Sequence, residues 1–310
     1  MRADITHFQI VRLSLVGFAL LALLTLPGCD PGRDLRQLAP DLDPQVANLL
    51  AQDQTDDLRE FFLHAGTNTL TYSFDVLYRE AVFGDQQQDA LLMPHLETLA
   101  AIMAEDFSYE LGRYKWDSLQ RVDKEILRQA YDLNHERDAI FSDPTIADSV
   151  KVERFHAMVD FFAEHDLQWY TVALNETLAQ VHASLGERED MREHLQAALA
   201  SSRRVDFAGM TCQILGALAE MFYEEGQLDS AQVYVNHLQQ RAVHSRLALQ
   251  AARAETFRCS FSLGQGRQHG AHLHLKEARQ LCRDFQGGQH EAIYIAILAR
   301  FYANLECWAI

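Results

Sequence analysis

Residues 215–235 read LGALAEMFYEEGQLDSAQVYV. Leu215, Leu218, Ala219 and Phe222 fall at helical spacings before Gly226, and Leu228, Ala231, Val235 and Leu238 do so after it. Side chains three and four apart share one helix face. The stretch therefore predicts two helices joined at Gly226, a residue that takes a left-handed backbone without a Cβ clash. Ala219 and Ala231 are small enough for two helix backbones to approach closely, while Phe222 and Val235 fill the space around the crossing.

The same pattern recurs on either side. GEREDMREHLQAAL, GQLDSAQVYVNHLQ and GRQHGAHLHLKEAR align on Gly186, Gly226 and Gly266, 40 residues apart. Behind these glycines, Met191, Ala231 and Ala271 share one register, as do Leu195, Val235 and Leu275, and Ala198, Leu238 and Ala278. Ahead of them stand Ala179, Ala219 and Cys259, followed by His182, Phe222 and Ser262. A first helix thus precedes each glycine and a second follows it.

This pattern resembles the tetratricopeptide repeat, most clearly at Leu215, Leu218, Ala219, Phe222, Gly226, Leu228, Ala231, Val235 and Leu238. The period exceeds the usual ~34 residues, the family's proline near the repeat end is absent, and Arg258 stands where a core leucine is expected. A longer period resembles the extended variety found in regulator and signalling proteins. The resemblance implies an all-α fold, a right-handed superhelical solenoid of antiparallel helix pairs. It also implies a partner-binding groove lined by Glu176, Gln180, Gln213, Glu220, Tyr223, Glu224, Arg253, Ser260, Arg300 and Asn304. A fourth first-helix, EAIYIAILARFYANLECWAI, brings Ala299 and Tyr302 into register and stops at Ile310. An incomplete last repeat leaves an apolar face uncovered, which raises the expectation that the chain is a fragment or a truncation.

The N-terminus carries a different signal. Arg2 and Arg12 precede an apolar run, Leu13 to Leu26, that is shorter than the ~20 residues a membrane-spanning helix needs. Cations, a short apolar region and small residues are the layout of a secretory signal peptide. An ordinary signal peptide cut nearby, or a helix that ends at Pro27 and Gly28, competes with a more specific reading. Leu26-Pro27-Gly28-Cys29 resembles a bacterial lipobox, whose cysteine becomes the acylated first residue of the mature protein. The resemblance implies lipidation at Cys29 and a membrane-anchored, periplasm-facing place in the bacterial envelope. Asp30 resembles the inner-membrane retention signal of enteric lipoproteins.

Four segments follow: a lipoprotein signal peptide at 1–28, a proline-rich extended tether at 29–44, a helical region with possible degenerate repeats at 45–166, and tetratricopeptide-like repeats at 167–310. Within the third, Asp43-Pro44 predicts a helix start, Gly66 and Gly84 predict helix ends, Pro94 predicts a kink or division, and SDPT at 142–145 a firm break.

A formal net charge of -17 opposes binding to nucleic acid. HExxH, GxSxG, Walker-type and paired CxxC patterns are absent, so the sequence points to no enzyme, no cofactor and no small-molecule substrate. GQGRQHG, residues 264–270, reads as an inter-helix turn rather than a phosphate loop. His269, His272 and His274 cluster without a further ligand at useful spacing and read as a solvated face, with no metal site. Cys212, Cys259, Cys282 and Cys307 remain beside Cys29, with no required disulfide expected. The expected function is a lipid-anchored scaffold for a protein or peptide partner. The alternative is the N-terminal sensory part of a longer signalling protein, such as a histidine kinase, a DNA-binding regulator or a caspase-like peptidase.

Overall fold

The computed structural model describes residues 31–283, apart from Tyr109. The leader at 1–28, Cys29, the fourth first-helix with Arg300 and Asn304, and Cys307 lie outside the described residues. Among those described, the chain is all-helical, and no helix is long and apolar enough to cross a membrane.

The chain divides into two compact units between Gln54 and Thr55. In the first, α1 (Pro31–Leu38) packs on α2 (Pro44–Ala51), and Leu35, Ala39, Leu42, Val46, Ala47 and Leu50 are buried. The composition of this stretch favours extended or turn conformations, and residues 31–38 are helical instead. The prolines explain the difference: Pro31 and Pro44 each open a helix, where the missing N–H costs nothing. Asp43 caps α2 as expected, accepting from Gln45 N at 2.8 Å and Val46 N at 3.2 Å.

The second unit begins with α3 (Thr55–Ala65), α4 (Thr67–Phe83), α5 (Gln86–Phe107), α6 (Leu111–Arg121), α7 (Lys124–Ser142) and α8 (Asp148–Glu164). α4 is central, touching α3, α5, α6 and α7. Its buried Leu70, Phe74, Leu77, Tyr78 and Ala81 meet an interior that includes Leu96, Leu99 and Met103 of α5. α5 is not divided at Pro94 and continues to Phe107. Its start is a capping box in which Asp85 and Gln88 satisfy each other's backbone N–H groups. The break expected at 142–145 separates α7 from α8.

From residue 168 the helices keep a strict period. First helices α9 (Gln168–Leu185), α11 (Ala208–Glu224) and α13 (Ala248–Gly264) alternate with second helices α10 (Arg188–Arg204), α12 (Leu228–His244) and α14 (Gln268–Arg283). Each start recurs every 40 residues. Two turns create this repeat. Gly186, Gly226 and Gly266 have φ of +78°, +74° and +70°. After each, the next N–H returns to the last turn, as from Gln227 to Phe222 O at 2.9 Å. Asp166, Asp206 and Arg246 make the same left-handed turn between repeats, with φ of 55°, 50° and 53°. There Leu167, Phe207 and Leu247 each donate to a carbonyl five residues back at 2.8 Å.

Ala179, Ala198, Ala219, Ala231, Val235 and Leu238 are buried where the helix pairs cross. In repeat three Cys259, Ala271 and Leu275 pack together with Leu263 against them. α9 touches α11 and α11 touches α13, so the first helices form a continuous row.

Candidate functional site

The row of first helices carries a polar ladder. Positions three and four apart share a face, and the period brings Gln213 of α11 and Arg253 of α13 into one register, Glu176 and Gly216 into a second, and Gln180, Glu220 and Ser260 into a third. Glu176 Oε1 accepts from Gln180 Nε2 at 2.7 Å within α9 and from Gln213 Nε2 at 2.8 Å across to α11.

The next rung repeats this geometry with different chemistry. Arg253 reaches back to Gly216 as Gln213 reaches back to Glu176. A Cβ placed on Gly216 would lie 2.8 Å from Arg253 Cζ and 3.0 Å from both terminal nitrogens. The glycine thus leaves the space in which a guanidinium crosses the helix. Arg253 also lies over the Phe257 ring at 5.6 Å. Burial pulls its pKa below the ordinary arginine value, against the opposing pull of Glu220, Cys212 and Glu176.

Of the residues expected to line a groove, Glu176, Gln180, Gln213, Glu220 and Arg253 come together on this ladder. Ser260 holds the register of Gln180 and Glu220 and is half-buried. Tyr223, near the C-terminal end of α11, stacks on Phe261 of α13 with ring centroids 4.9 Å apart and stays 37% exposed. Glu224 turns aside toward Arg188, at 3.7 Å.

Two features have no local sequence signature. A cleft of about 450 Å³ is lined by Arg203, Asp206, Thr211, Leu215, His237, Gln240, Arg241 and His244. Arg241 is already tied to Asp206 across it. The second is a trio of histidines, His156 of α8, His182 of α9 and His194 of α10, each with a ring nitrogen within 4.8 Å of the others'. The rings of His182 and His194 lie 5.1 Å apart and 13° from parallel. Burial, then the neighbouring His182 and His156, push the pKa of His194 down to about 4, so it is neutral at physiological pH. His269, His272 and His274 form no comparable group: His274 pairs with Glu255 at 2.7 Å, and His269 and His272 are exposed.

Cys212 and Cys259 are buried free thiols. Burial raises their pKa values to about 12 and about 11.

No family model matches the chain. No curated protein matches it either. Comparison with solved structures returns the crystal structure of BtubC (BKLC) from P. vanneervenii, 15% identical over 83% of this chain and 87% of that one. The TM-score is 0.37.

Proposed function

We propose that the repeat helices form a tetratricopeptide-like, right-handed solenoid that binds a protein or peptide along the face of its first helices. The observation that carries this reading is the ladder: Glu176, Gln180, Gln213, Glu220 and Arg253 meet on consecutive first helices. Side-chain amides and carboxylates at a regular rise suit an extended backbone, whose N–H and C=O groups repeat in the same way. The Arg253 guanidinium, poorly hydrated above Gly216, suits a carboxylate of the guest.

A photo-crosslinking side chain tests the reading when placed at Gln180 or Glu220, with Gln196 and Val233 on second helices as controls. The expected result is one shared polypeptide adduct from the two ladder positions and none from the controls. Equal adducts from both faces would reject the groove. The lipobox resemblance at residues 26–29 supports anchoring of this scaffold at an envelope membrane through an acylated Cys29. Fatty-acid labelling and membrane fractionation test that part, with Cys29→Ser expected to abolish the label and release the chain.

A further inference from the structure

The three histidines come from three consecutive helices, and hydrogen bonds orient two of them. His182 Nδ1 lies 2.7 Å from Glu187 Oε2, and a carboxylate can only accept, so Nδ1 carries the proton. His194 Nδ1 lies 3.0 Å from Asn175 Oδ1. The Asn175 amide is itself fixed, because its Nδ2 donates to Thr171 O at 3.0 Å. His194 Nδ1 is therefore also the donor. In both rings Nε2 is left with its lone pair free.

The His182 side chain is only 9% exposed, and its Nε2 is buried with no hydrogen-bond partner. A buried polar atom without a partner costs free energy unless something satisfies it. His156 is exposed on α8 and already has a ring nitrogen within 4.8 Å of those of the pair. Its centroid is 5.3 Å from that of His194.

We propose that His156, His182 and His194 bind a divalent transition-metal ion, zinc by preference, through one imidazole nitrogen each. Neutral imidazoles suit this class of ion, and three of them leave a fourth tetrahedral position open to water or a carboxylate. Glu187 holds the His182 tautomer as an outer-shell carboxylate does in histidine-ligated zinc sites. Asp190 lies within 4.8 Å of His182 and Glu187 and adds negative charge beside the ion. The bound ion would tie α8, which precedes the periodic helices, to both helices of the first repeat.

A rival account is that the pair only fills space. In repeat two the same positions hold Phe222 and Tyr234, stacked with centroids 5.3 Å apart and 9° from parallel. That rival supplies the variant: His182→Phe with His194→Tyr copies repeat two and removes two ligands. Where that chain does not fold, His156→Ala at an exposed position serves in its place.

The test titrates the full chain with zinc against a chromophoric chelator and records the cobalt(II) spectrum. One ion per chain with a tetrahedral cobalt band is expected. Affinity should fall by more than ~100-fold in the paired variant and by about 10- to 100-fold in Glu187→Gln, where only the outer shell is lost. His156→Ala should erase the cobalt band, and His269→Ala with His272→Ala should leave it unchanged. No zinc uptake by the parent chain, or full affinity in the paired variant or in His156→Ala, would overturn the site.

Discussion

Gly216 shows how one residue can serve both helix and surface. A glycine inside a helix costs roughly 0.5–1 kcal/mol relative to alanine, yet a Cβ there would meet the Arg253 guanidinium at 2.8 Å. The obstacle is the mobile end of a side chain, so Gly216→Ala should retain or raise the melting temperature while moving the cation off the ladder. Melting together with crosslinking from Glu220 checks both halves, and a clear loss of stability would mean that Arg253 cannot move. The thiols give a second test. The thiolate is the reactive form, so pKa values raised to about 12 and 11 keep Cys212 and Cys259 protonated until strongly alkaline pH. Iodoacetamide should label them slowly in the native chain from about pH 7 to 9 and rapidly in urea, as read by peptide mass spectrometry. Helical spacing makes Glu176 and Gln213 legible from sequence as residues of one face, but the hydrogen bond between them joins two different registers and emerges only from the packing of the helices. Gly216 is not legible, because a helical glycine reads as a weak point until the guanidinium above it is seen. The histidine trio is hidden for a related reason: its members belong to three helices, so no local spacing joins them, whereas the closely spaced His269, His272 and His274 stand out in the sequence and do not converge.

At the scale of the helix and its turns, the period is visible where chemistry demands one residue type. Gly186, Gly226 and Gly266 sit at positive φ, and nothing lies within 4 Å of where a Cβ would stand. Replacing any one by alanine should therefore cost only the backbone preference, ~1 kcal/mol, and about the same at all three. Urea denaturation of the single variants measures this, and a markedly larger loss at one site would mean that its turn carries packing as well. The matching turns between repeats leave no such mark because Asp166, Asp206 and Arg246 share a conformation but not a chemistry. Aspartate tolerates the left-handed region, and Arg241 binds Asp206 while Arg204 binds Asp166. Arginine at 246 gives no sequence sign of a turn. The prolines mislead in the opposite direction: their number before residue 45 suggests extended chain, although position within a helix, rather than count, decides whether proline is tolerated.

Across the whole array the repeats are alike in backbone and unequal in core. Stability in stacked repeats is approximately a sum of each unit and its interfaces, so a weaker unit opens first. Repeats one and two bury Leu178 and Leu218 at the position where repeat three has Arg258. That arginine turns to Glu255 and to Asn236 Oδ1, and Glu255, only 5% exposed, is also bound by His274. A buried ion pair recovers little of its desolvation cost compared with apolar side chains of similar volume. Repeat two holds Leu215, Leu218 and Tyr234 at the places of Glu255, Arg258 and His274. Hydrogen exchange should therefore be fastest, among core amides of the three repeats, in α13 and α14. The combined change Glu255→Leu, Arg258→Leu and His274→Tyr copies repeat two and gives up the bond to Asn236, worth ~1 kcal/mol. Against that loss stands a gain of ~1–4 kcal/mol from replacing buried charge. The triple variant should slow exchange in α13 and α14 toward that of α11 and α12 and raise the urea midpoint. Single removal of Arg258 should do the reverse, because it strands the Glu255 carboxylate with one partner fewer. Equal protection across the three repeats in the parent chain would show that they unfold as one cooperative block.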